Sequence, residues 1–143
     1  MSRATVANNV RLKRVYAPTS PDDGYRILAT RYWALGVPRT VVDEYDMKVA
    51  PSRELLREFK HEGLTWEQYV PRYLEEMQSE VAKCDINRLA EMAKSGTITL
   101  MCICEDETRC HRSLLRDLII VEIEAAYVGV FRPPPRPETE TAK

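Results

Sequence analysis

The residues best equipped for chemistry lie between Cys102 and Arg112, in the run CICEDETRCHR. That run holds three of the chain's four cysteines and one of its two histidines. Thiol, imidazole and guanidinium groups at this spacing suit covalent catalysis, proton transfer or anion binding. Cys104 and Cys110 are the candidate nucleophiles and His111 the proton carrier. Glu105, directly after Cys104, is a candidate acid or base. Arg112 supplies a forked donor that fits a phosphate or carboxylate. Four residues separate Cys104 from Arg109, one fewer than in the Cys-x₅-Arg loop of the tyrosine phosphatases, so that signature is not met.

The same side chains support other uses. Cys102, Cys104, Cys110 and His111 make a Cys₃His donor set of the kind that holds zinc, although their spacing is unlike the usual two-residue knuckles. A reversible Cys104–Cys110 disulfide is a third use. Against all of these stands the ordinary fate of a free cysteine, which is to fill a core, and Cys102 reads that way. The primary expectation is a pocket without metal or cofactor.

Something must position this run. Ile98 to Cys104 is nearly continuously apolar and begins with β-branched residues, so it reads as an interior strand covered on both faces. The acidic loop from Glu105 ends it, and Asp106 or Thr108 can cap a helix beginning near Cys110. Cys102 and Cys104, two apart, share a strand face. Cys110, His111 and Arg112 fall in the opening turn of the helix, where free N–H groups favour an anion and lower a thiol's pKa. Strand, loop and helix form half of an α/β unit, whose ligands sit beyond the carboxyl ends of strands.

A second cluster lies upstream. Arg14, Arg26, Arg31 and Trp33 are candidate contacts for a small anionic or nucleotide-like ligand, the arginines for its phosphate and Trp33 for a base. Asp22 and Asp23 read more simply as turn residues that cap backbone groups and pair with arginines. Ser52 is a candidate ligand contact and also the expected cap of a helix.

The remaining pattern is that of a small layered domain. Val10–Tyr16 and Tyr25–Trp33 have extended character, separated by the turn-rich stretch 17–24. Val41–Tyr45 reads as a short strand or a helical turn. Ser52 opens one helix and Thr65 a second, with Gln68 completing a capping box and Pro71 as an interior blemish. A third helix is expected over Asp85–Ser95. The helix after Cys110 is expected to run through Ala126. Residues 1–9 read as a flexible lead, 10–131 as one domain, and 132–143 as a disordered Pro-rich tail.

Composition bounds the function. The chain has 143 residues, 44% hydrophobic and 30% charged, with a net charge of −1. That balance gives no general pull toward nucleic acid or an anionic membrane. With no apolar run long enough to span a bilayer and no signal-peptide core, the expectation is a cytoplasmic protein with reduced thiols. Oligomeric state is not legible.

A family resemblance joins these pieces. Arg14-Val15-Tyr16, Ser20 through Leu28, Arg31 and Trp33 resemble the opening of the YeaO-like proteins of domain-of-unknown-function family 488. The likeness continues through Ala50-Pro51-Ser52, Glu54-Leu55, Phe59, His61, Trp66 and Tyr73. It ends on Thr99-Leu100, Cys104-Glu105 and Cys110-His111-Arg112. It implies a small three-layer α/β domain, a mostly parallel central sheet flanked by helices, and no established activity.

Overall fold

A computed structural model of the chain describes residues 9–104 and 106–127. Glu105 and most of the expected lead and tail therefore lie outside the described residues. Strands β1 (Val10–Arg14), β2 (Tyr25–Leu28), β3 (Glu44–Tyr45) and β4 (Ile98–Cys102) form one sheet in the order β1-β4-β2-β3, with every pairing parallel. All five residues of β4 are buried, as its unbroken apolar run requires of a strand with neighbours on both sides. Register places Arg14 beside Cys102 and Leu28 beside Met101, so three strands end at one edge.

Among the described residues the α-helices are α1 (Arg53–His61), α2 (Trp66–Glu76), α3 (Glu80–Ser95) and α4 (His111–Tyr127), the first three opened by side-chain caps. Ser52 Oγ accepts the Leu55 N–H at the start of α1, and Thr65 with Gln68 forms the reciprocal box of α2. Pro71 leaves α2 unbroken. It lies on the exposed side, as does Glu67, so the carbonyl it deprives of a partner faces water. Helix α3 starts five residues before the expected Asp85, because Ser79 caps it and Ala82 extends the buried stripe of Ile86, Leu89 and Ala93.

Alternation along the strands divides the interior. Val10, Ile27, Ile98 and Leu100 join a large apolar cluster to which all four helices contribute. Leu28 and Met101, on the other face, pack with Val15, Ala34 and Val37. The outer layer on that side is irregular chain, including the 3₁₀ turn Arg39–Val41, and not α-helix. Asp22 and Asp23 serve the turn before β2. Asp23 pairs with Lys13 at 2.8 Å and Arg11 donates to the Asp22 carbonyl. Gly24 (φ 62°) lets the chain pass within 2.2 Å, measured from an ideal Cβ, of the Thr97 carbonyl.

The expected strands over 10–16 and 25–33 are shorter in the fold. Beyond Arg14 and Leu28 each adds one ladder bond to β4, Val15 N–H to Cys102 and Ala29 N–H to Met101, and then turns away. Turning at Ala29 aims its carbonyl out of the sheet. Among the described residues, no helix is long and apolar enough to cross a membrane.

Candidate functional site

Beyond the carboxyl end of β4 is a cavity of about 90 Å³. Cys102, Ile103 and Cys104 form one wall as the chain leaves the sheet. The segment Thr30–Tyr32 after β2, Leu56, Phe59 and Lys60 of α1, Tyr69 of α2, and Arg109-Cys110-His111 complete it. It occupies the place expected for ligands of an open parallel sheet.

Sulfur gathers at its floor. Cys102 and Cys104, on one strand face, bring their sulfurs to 3.7 Å. Cys110 ends the 3₁₀ turn Glu107–Arg109, which Asp106 caps by accepting the Thr108 N–H, and Ser113 holds the Cys110 carbonyl from the first turn of α4. That fold-back carries the Cys110 sulfur to the same point: Cys102, Cys110 and His111 present donor atoms that all lie within 4.8 Å of one another. All four cysteines are free thiols. The thiols of Cys102 and Cys110 hydrogen-bond toward Cys104, and with Lys60 they hold the Cys104 thiol far below the usual range, against burial. The same bonds, with burial, push Cys102 and Cys110 upward. One negative charge is thus favoured, centred on Cys104.

His111 is buried, and burial lowers its pKa, so the ring is neutral. Its Nε2 faces the carbonyl of Ala29. A carbonyl only accepts, so Nε2 carries the hydrogen and Nδ1 keeps its lone pair. That lone pair lies 3.8 Å from the Cys110 sulfur. The ring is further fixed by Tyr73, whose centroid is 5.7 Å away.

Three cations line the cavity. Lys60 Nζ is 3.8 Å from the Cys104 sulfur. Arg31 lines the cavity with its Nε donating to the Pro51 carbonyl and its Nη2 to those of Met47 and Ala50. Arg109 is the third. Among the described residues no acidic side chain lines the cavity.

The other expected contacts are placed elsewhere. Arg112 is buried but does not line the cavity: its Nη2 donates to the Cys104 carbonyl at 2.7 Å, while Nε and Nη1 have no partner among the described residues. It ties the strand exit to α4. Arg14 donates to the Ile103 carbonyl and lies over the Tyr16 ring. Arg26 donates to the Val41 carbonyl, on the far side of the sheet. Trp33 donates to the Val37 carbonyl, meets Tyr45 edge-on and carries Arg39 over its face. Ser52 is engaged as the cap of α1 and with Glu76.

Lys60, Tyr69, Thr30 and Tyr32 were not among the expected contacts, nor was Arg109. Lys60 had a signal: it shares a helical face with Leu56, four residues earlier, at the end of α1. Nothing local marked the others.

A family model described as "DUF488-N3a: Active DUF488-N3 subclade" matches residues 10–122. The chain is 35% identical over 111 residues to the uncharacterized protein YeaO of Escherichia coli K12, covering 76% of this chain and 95% of that one. It is 30% identical over 112 residues to the uncharacterized protein Rv3073c of Mycobacterium tuberculosis H37Rv, covering 77% and 92%. No solved structure matches it.

Proposed function

The chain belongs to the DUF488 family, and we propose that it is a cysteine-dependent enzyme acting on a small anionic molecule in the cavity beyond β4. The supporting observation is the placement of the Cys104 sulfur, 3.8 Å from Lys60 Nζ, in a cavity that Arg31 and Arg109 also line and that no described acidic side chain enters. Cations at that spacing favour a phosphate or carboxylate. About 90 Å³ takes the charged group only, so a larger, nucleotide-like ligand keeps the rest of itself outside. Cys104 is the reactive residue: it is half-exposed where Cys102 and Cys110 are buried. In a covalent reaction its sulfur lone pair makes the new bond, the leaving group departs with its own electron pair, and water releases the product. The description of the matched model as an active subclade accords with this reading. His111, with its Nδ1 lone pair toward the sulfurs, is the proton acceptor, and Arg112 positions Cys104 through its carbonyl. Glu105 remains a candidate acid or base.

The test is a thermal-shift and iodoacetamide-protection screen with inorganic phosphate, pyrophosphate, sugar phosphates and mononucleotides. A binder is expected to raise the melting temperature and shield Cys104, mapped by mass spectrometry, in wild type and less so in Lys60→Ala. A ligand that is never turned over, and that stabilises Cys104→Ser as much as wild type, makes the pocket a binding or sensor site instead. No shift and no shielding by any anion removes the proposal.

A further inference from the structure

We propose that Cys102, Cys110 and His111, with Cys104 as the fourth donor, bind a soft divalent cation of the zinc type. A tetrahedral zinc ion with bonds of about 2.3 Å to sulfur and about 2.0–2.1 Å to nitrogen sets its donors about 3.8 Å apart for two sulfurs and about 3.6 Å for sulfur and nitrogen. Two edges of this cluster are 3.7 Å, between the sulfurs of Cys102 and Cys104, and 3.8 Å, between Cys110 Sγ and His111 Nδ1. Cys102, Cys110 and His111 present atoms all within 4.8 Å of one another, at most about 1 Å beyond a tetrahedral edge. The Cys104 sulfur, 3.7 Å from that of Cys102, lies outside this group of three and joins it only by a side-chain rotation.

The histidine carries an independent sign. A metal-bound imidazole almost always gives its other N–H to a carbonyl or carboxylate, which fixes the ring and the tautomer. His111 does this through Ala29, leaving Nδ1 directed at the sulfurs. Cys102, Cys110 and His111 are buried, and all four donors border the cavity, so an ion held by them would sit at its floor. Charge also fits. Three thiolates on a divalent ion leave one negative charge, and Lys60, Arg31 and Arg109 stand around it. Without an ion, three thiols crowd one point with few partners but each other.

The inference rests on the proposed function and changes one role in it: with Nδ1 on the ion His111 is a ligand and no longer the proton acceptor, and Cys104 is held deprotonated by the metal instead. It does not depend on turnover. The closing experiment is metal analysis of the purified full chain, followed by removal of metal with a chelator and titration with Co²⁺. One equivalent of metal per chain is expected, with intense near-ultraviolet thiolate-to-cobalt absorption and the visible bands of a tetrahedral ion. Cys110→Ser and His111→Gln are expected to lose it, and Cys84→Ser, an exposed thiol outside the cluster, to keep it. Cys104→Ser is expected to lose part of the charge-transfer intensity. Unchanged intensity there overturns Cys104 as a ligand. Should the cluster variants misfold, chelation of wild type provides the second reading, with a lower melting temperature that zinc restores. Less than about a tenth of an equivalent after reconstitution, or a cobalt spectrum without thiolate bands, overturns the site. Anion protection of Cys104 that persists in such metal-free protein would leave the proposed function standing alone.

Discussion

His111 Nε2 is hydrogen-bonded to the backbone carbonyl of Ala29, a residue 82 positions earlier in the chain. The bond joins the point where β2 leaves the sheet to the first turn of α4, and it decides which ring nitrogen faces the cysteines. Replacing the ring with Phe keeps most of its volume and its contact with Tyr73 but orphans a buried carbonyl. His111→Phe is expected to lower stability by about 1–3 kcal/mol, read from urea unfolding. An unchanged unfolding midpoint would mean that the Ala29 bond does not form in solution.

Lys60 is the accessible test of the cationic cavity. It is exposed and makes no protein ion pair among the described residues, so Lys60→Ala is expected to leave the unfolding curve in place. Affinity for whichever anion shields Cys104 should fall by about fivefold or more, the equivalent of about 1 kcal/mol. Isothermal titration decides it.

Ser52 separates scaffold from ligand contact. Its hydroxyl accepts from Leu55 N–H and bonds Glu76 at the junction of α1 and α2. Ser52→Ala should cost about 1–2 kcal/mol in urea unfolding through the lost cap. Anion affinity at subsaturating denaturant should stay within about twofold of wild type, since Ser52 does not line the cavity.

Arg112 presents an imbalance, with one hydrogen bond and two buried donors that have no partner among the described residues. Replacing a poorly satisfied buried charge with an apolar side chain of similar length costs little. Arg112→Met is expected to stay within about 1 kcal/mol of wild-type stability. A loss of several kcal/mol would show that an unseen anion or the cysteine charge completes the guanidinium.

A pH dependence arises on the opposite side of the sheet end. Asp46 is buried against Asp85, while Arg88 bonds both and Lys48 approaches Asp85 at 3.5 Å. Burial and the neighbouring Asp85 raise Asp46 to about 7, and Arg88 and Lys48 help keep Asp85 low. The folded chain therefore keeps a proton on Asp46 that the unfolded chain releases near its ordinary value of 3.8. Stability from this group is full below the unfolded value, declines as pH rises toward about 7, and is flat above. Asp46→Asn, which retains a hydrogen bond to Asp85 without a titrating proton, should unfold at a midpoint that changes less across this window. Urea midpoints of both proteins at three pH values within it measure the difference, and parallel curves would refute the shared proton.

Local order in the chain was enough for most of the scaffold. The unbroken apolar run of β4 required two neighbouring strands, and Ser52, Thr65 and Gln68 marked helix starts because capping is a matter of a few adjacent residues. Ser79 shows the same rule working where the apolar stripe alone suggested a later start. The run from Cys102 to His111 likewise announced its donors, since strand alternation and a short loop bring them to one end of the sheet. What adjacency could not supply was the assignment of each cation. Arg14, Arg26, Arg31, Lys60, Arg109 and Arg112 look alike as residues, and long flexible side chains reach whichever carbonyl or cavity the packed layers bring near. Only the tertiary structure put Arg31, Lys60 and Arg109 in the cavity wall, sent Arg26 to Val41, and buried Arg112 behind Cys104. The same packing chose the tautomer of His111, because the carbonyl that fixes it belongs to a strand far away in sequence and adjacent only once the parallel sheet has formed.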